Sequence, residues 1–315
     1  VTDVTTRTIT ESSPPAAQVA MTTVGLAEVR HGVLSDLREV MGDFWRFREL
    51  LYQLTLRDVR IRYKQAIMGF GWAIFMPLLI IFAGMLIRLA MATMAGGGLD
   101  RTAIAGLAVK SLPWAFFVGA LGFAVASLTG NMTLVTKVYF PREVLPVSSV
   151  LAQLFDTSIG ALGLLIVLLA FHITPSLSWL WVPALVLLLV TLTVGTCLLL
   201  SCGNLFFRDV KYIVQVLLTF GIFFTPVLFE PVMVGPTAAS IIMLNPLAPV
   251  LEGLRLCIVE HHNLLEPLVA TSHKGVTFTV WHPWYLAYTA VWAIAGLLGS
   301  ALLFHRLEFV FAEYI

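Results

Sequence analysis

The sequence predicts an all-α membrane protein with six transmembrane helices, and three observations predict it. Only 12% of the 315 residues are charged and 59% are hydrophobic. An average soluble domain carries roughly 25% charged residues, and a soluble surface needs that polar cover. Six apolar runs approach the ~20 residues that a helix needs to cross the hydrocarbon core. Lysine and arginine are shared unevenly between the connections, as they are in chains oriented by the positive-inside rule. The formal net charge of +1 decides nothing by itself.

Residues 1–30 are rich in Thr, Ser, Pro and Ala without an apolar period, which reads as a disordered tail. It has no signal-peptide core, so no cleavage is expected. Residues 31–65 place Phe44, Phe47, Leu51 and Leu54 at helical spacing with Arg46, Arg48, Glu49 and Gln53 between them. That is an amphipathic helix region suited to the headgroup plane. Residues 66–315 form the transmembrane domain, with spans near 67–92, 107–130, 147–171, 179–203, 210–229 and 284–305. Segment 231–258 is apolar but interrupted by Pro231, Pro236, Pro246 and Pro249. Its longest unbroken run cannot cross a bilayer. Irregular backbone at membrane depth must be buried in protein, so it reads as a re-entrant pair of short helices, against the alternative of a surface loop.

The approach to the first span carries seven basic residues from Arg38 to Lys64. The second connection adds Lys137 and Arg142, and the fourth adds Arg208 and Lys211. The third has none, and the long fifth has only Arg255 and Lys274. Both termini are therefore expected in the cytoplasm, with loop 259–283 outside.

Chemistry-bearing motifs are few. There is no G-x-x-x-x-G-K-[ST] phosphate cradle and no H-E-x-x-H. Buried acids and bases are expected to be nearly absent from the spans, Arg88 and Asp156 being the exceptions. Such scarcity argues against a proton relay and against a membrane-embedded transferase, which needs acids or His clustered at one face. Cys197, Cys202 and Cys257 suggest neither a disulfide nor a metal site. His261, His262, His273, Glu260 and Glu266 read better as a solvated loop than as metal ligands.

Several strings carry a resemblance. They run from Leu56 to Gln65, from Gly69 to Ala73 with Pro77, and from Leu134 to Pro146. Others run from Phe206 to Tyr212, Thr225 to Val227, Asn245 to Leu247, and Phe311 to Ile315. In order and spacing, over about residues 44–315, the chain resembles ABC-2 type polysaccharide export permeases. The pattern is nearest to permeases for lipid-linked O-antigen, with capsule and teichoic acid exporters alongside. The long tail departs from it.

The resemblance implies a homodimeric channel in the bacterial inner membrane. Two copies of a separate nucleotide-binding ATPase would hold ATP and Mg, leaving this chain with no cofactor or enzymatic role. The partners implied are that ATPase, a polyprenyl-linked polysaccharide and membrane lipids, with no nucleic acid. It also implies that Lys137, Tyr139, Pro141, Arg142 and Glu143 couple to the ATPase; the alternative is a basic anchor. Arg57, Arg60, Arg62 and Lys64 suit either a lipid pyrophosphate or anionic headgroups. Trp72, Phe75 and Phe82 suit either a conduit for sugar rings or lipid packing, while Trp114, after Pro113, suits an interfacial belt. The rival functions are an ABC-2 permease for a drug or small lipid, and the transferase.

Overall fold

The computed structural model describes residues 33–64, 69, 71–94, 101–271 and 277–308. The tail 1–30, the string Phe311 to Ile315 and His273 lie outside the described residues. Two helices precede the bundle, α1 (Val33–Arg46) and α2 (Arg48–Tyr63). The amphipathic region is thus two helices rather than one. Phe47, at φ −96° and ψ 17°, leaves helical geometry and breaks it. Leu54 is buried, and α1 is tied to the last span by Arg306, whose Nη2 lies 3.1 Å from Asp36.

The first two spans are α3 (Gly71–Met94) and α4 (Arg101–Ala124). The second begins six residues before the expected boundary at 107. Helical turns α5 (Ser127–Gly130) and α6 (Met132–Lys137) then lead to α7 (Val144–Ala170). A 3-10 turn, Leu177–Trp181, opens α8 (Val182–Phe206). Close packing of α8 on the last span depends on Gly195, where a Cβ would stand 2.8 Å from the Leu297 nitrogen.

The expected fifth span, 210–229, is shorter than that: α9 covers Val210–Phe224, fifteen residues. At 1.5 Å per residue it rises roughly 22 Å, less than the ~30 Å hydrocarbon core. It stops because Thr225 is extended ahead of Pro226, and a residue before proline is pushed out of helical geometry.

Three short helices follow where two were expected: α10 (Pro231–Val234), α11 (Pro236–Ile242) and α12 (Ala248–Ile258). Gly235 joins the first two at φ +87°, a conformation that side chains rarely adopt. All eleven residues of α12 are buried, packed against α4 and α8, as backbone returning into a membrane bundle must be.

The loop before the last helix is more ordered than a solvated loop. It contains an antiparallel hairpin, β1 (Leu268–Thr271) and β2 (Thr277–Trp281), anchored by fully buried Trp281. The indole N–H of Trp281 donates to the Leu264 carbonyl at 2.9 Å. The last helix is α13 (Trp284–Leu307). Among the described residues, five helices are long and apolar enough to cross a membrane. The chain is therefore a multi-pass helical membrane protein. One end, here the base, carries α1, the start of α2, residues 125–143 and the end of α13; the far end carries residues 225–271 and 277–283.

Candidate functional site

The last turns of α2 run along the first half of α7. Arg62 donates from Nη1 to Asp156 at 2.6 Å and to Gln153 at 2.8 Å, while its guanidinium lies 3.8 Å from the Phe123 ring centroid. The Tyr63 hydroxyl donates to the same Asp156. Burial and the adjacent carboxylate raise the Tyr63 phenol above its usual pKa. Arg57 pairs with Asp58 at 2.9 Å, and Arg60 and Lys64 stand exposed. The four predicted cations therefore part company. Positions 57, 60 and 64 share one helix face, whereas 62 points nearly half a turn away, into the bundle.

Beside that buried pair opens a cavity of ≈ 650 Å³, lined chiefly by apolar atoms, with Arg62, Tyr63, Trp72, Trp114, Phe123 and Asp156 among its walls. Trp72 and Phe75 touch edge to face, with ring centroids 5.5 Å apart. Trp72, Phe75 and Phe82 are 44%, 37% and 54% exposed, so all three look outward from α3. Trp114 is not at an interface. It is buried in the middle of α4, because the helix begins earlier than its apolar run suggested. A second cavity, ≈ 600 Å³, runs between α3, α4 and α9.

The segment expected to couple is split in its exposure. Lys137 is exposed and Tyr139 is 100% exposed, while Phe140 and Glu143 are buried. Arg142 reaches the Glu308 main-chain oxygen from Nη1 at 2.9 Å. Glu143 is 3% exposed, and its Oε1 lies 3.7 Å from His305 Nδ1. Burial and the nearby Glu308 carboxylate push the Glu143 carboxyl up to about 7.

The far end holds what sequence reading missed. The spans are not nearly free of charge. Lys110, wholly buried in α4, donates to the Phe229 carbonyl at 2.7 Å and stands 3.7 Å from Glu252. Arg255 bonds Glu252 and Glu260, each at 2.5 Å, and Arg88 of α3 bonds Glu230 at 2.8 Å. Three cations and three carboxylates thus tie α3, α4, α12 and the loop after α9 together. The only signal was Lys110 interrupting an apolar run, and its partners lie far along the chain. The loop histidines make local bonds: His261 Nδ1 sits 2.9 Å from Ser176 Oγ and His262 Nε2 3.0 Å from the Glu266 carbonyl.

These features define a polytopic membrane subunit with an aromatic-flanked cavity that reaches the middle of α4 and a cluster of paired charges about one helical turn further along it. The family model for the ABC-2 type transporter matches residues 49–259, and the chain belongs to that family. It is a transport subunit, and it is similar to proteins called O-antigen export system permease protein RfbA. The one from Klebsiella pneumoniae is 29% identical over 233 residues, covering 74% of this chain and 88% of the relative. The one from Myxococcus xanthus is 29% identical over 240 residues, covering 75% and 91%.

Proposed function

We propose that this chain is the membrane half of an exporter of lipid-linked, O-antigen-like polysaccharide in the bacterial inner membrane. It works as a homodimer driven by two copies of a separate ATPase, and the base faces the cytoplasm. The observation that carries this reading is a cavity and an outward aromatic face on one helix, α3. A polyprenyl chain suits the apolar walls, and the exposed Arg60 and Lys64 suit its phosphates. Sugar rings have apolar CH faces that stack weakly on Trp and Phe. Weak binding at several points lets cargo leave as readily as it enters. The similarity to O-antigen permeases supports the cargo class. Exposed apolar residues on α3 and α9, flanking the second cavity, offer a surface for a second copy. Tyr139 and Lys137 protrude where an ATPase would dock.

The test is export of surface polymer per folded molecule in cells making the lipid-linked substrate, with and without the cognate ATPase. Export should require both chains. Trp72→Ala, Phe75→Ala and Phe82→Ala should each lower it several-fold while leaving protein in the membrane. ATP hydrolysis by this chain alone would refute the division of labour, and unchanged export in all three variants would refute the conduit. One observation favours a second reading, a permease for a small lipid or drug: the ≈ 650 Å³ cavity is lined chiefly by apolar atoms. That reading predicts that a lipophilic compound without sugar stimulates ATP turnover by the complex as strongly as the full substrate does.

A further inference from the structure

At the base, three stretches remote in sequence meet around one buried carboxylate. Glu143 ends the loop before α7, His305 and Glu308 end α13, and Glu39 lies on α1. One ligand atom each from Glu143, His305 and Glu308 lie within 4.8 Å of one another. Glu143 is 3% exposed and its Oε1 has no hydrogen-bond partner, although it faces the His305 ring nitrogen at 3.7 Å. On the other edge of that ring, Nε2 lies 3.9 Å from Glu39 Oε2. A buried carboxylate oxygen without a donor is costly, and a cation seated among the three groups would satisfy it.

We infer that Glu143, His305 and Glu308 form a binding site for one divalent transition-metal ion of the Zn²⁺ or Mn²⁺ kind, clamping the 141–143 loop to the end of the last span. An imidazole nitrogen with two carboxylates is a ligand set that such ions accept. Donor atoms on one ion stand roughly 3–4.2 Å apart, so the widest pair must draw in by roughly 0.6–1.8 Å. The surrounding charge favours a dication. Glu39 and Asp43 add acidic charge from α1, and the Asp36–Arg306 pair beside them neutralises itself. Arg142 is the opposing cation. It spends its guanidinium on the Glu308 main-chain oxygen at 2.9 Å and lies 3.8 Å from one Glu308 carboxylate oxygen. The count still leaves the site negative. Glu143 is shut off from solvent, and the ion would act as a structural clamp. The proposal is independent of the cargo.

The test uses the purified full-length chain in detergent, stripped with chelator and dialysed against ZnCl₂ or MnCl₂. One ion per chain should be retained, and retention should fall at least tenfold in Glu143→Gln and in His305→Ala. The metal should raise the thermal midpoint of the wild type and leave that of both variants unmoved. Should a variant fail to fold, pulsed EPR of the Mn²⁺-loaded wild type decides, because a bound imidazole nitrogen must be visible. No retention by the wild type, equal retention by folded variants, or a Mn²⁺ signal without nitrogen would each overturn the site.

Discussion

Helices α3 and α4 are neighbours of equal length, each with an internal proline, yet they live in opposite environments. Of their apolar stretches, 11% of α3 is buried inside the chain and 72% of α4. The more apolar helix is the exposed one. Water would reverse that order, because burial there follows hydrophobicity. Between helices in lipid there is no such drive, and the inside is reserved for small residues and satisfied polar groups. Accordingly α4 carries Gly106, Lys110, Ser111 and Gly119 into the core, while α3 turns Phe75, Leu79, Phe82 and Leu86 outward.

The sharpest way to break this comparison is to discharge α4. Lys110→Met leaves the far-end cluster with an excess carboxylate and the Phe229 carbonyl without its donor. Unpairing a buried ion typically costs about 3–5 kcal/mol, so the detergent melting midpoint should fall steeply. Glu252→Gln added to it should recover part of the loss. A melt unchanged by Lys110→Met would mean that the ammonium is solvated and α4 is not central.

Next in size is the point where α7 touches both helices. A Cβ on Gly160 would stand 2.7 Å from Leu112 and 3.2 Å from the Ala73 carbonyl. Gly160→Val should cost about 1–3 kcal/mol by overpacking, read as a lower thermal midpoint. Then comes the cavity floor. A double-mutant cycle of Arg62→Gln and Asp156→Asn should give a coupling of about 0.5–3 kcal/mol. A coupling of zero would release Arg62 from its structural duty. The smallest expected stability effect is on α3. Phe82→Ala should change the melt by under about 0.5 kcal/mol, as substitutions away from packed features usually do, while export per folded molecule drops. A large loss of stability would show that α3 is packed core.

Much of this architecture was legible in the sequence, because hydropathy reads length and polarity directly. Spans α3, α7, α8 and α13 fall within a few residues of their apolar runs. What failed were features set by partners. The Lys110 ammonium sits inside a helix only because Glu252 and the Phe229 carbonyl await it, and local composition contains neither. Trp114 was misplaced because α4 begins six residues before its apolar run. The halt of α9 needed Thr225 and Pro226 to outweigh the apolar Val227–Phe229 beyond them. Within the candidate site, the aromatic face of α3 was visible from spacing alone. The inward turn of Arg62 and the meeting of Glu143 with His305 depend on contacts between distant stretches.

Lys110 also bears on how the protein is made. Its counter-ion Glu252 is synthesised about 140 residues later, which at roughly 5–20 residues per second is a delay of ~10–30 s. During that interval the nascent segment must sit in the bilayer with a lysine worth about +2.5–3.5 kcal/mol against insertion. It is held there by its apolar neighbours or by the insertion machinery. Commitment of this helix to its place is therefore a late event in biogenesis, waiting on the ribosome to deliver α12. A chain truncated before residue 252 should be a poor substrate for stable integration and a ready one for membrane proteases.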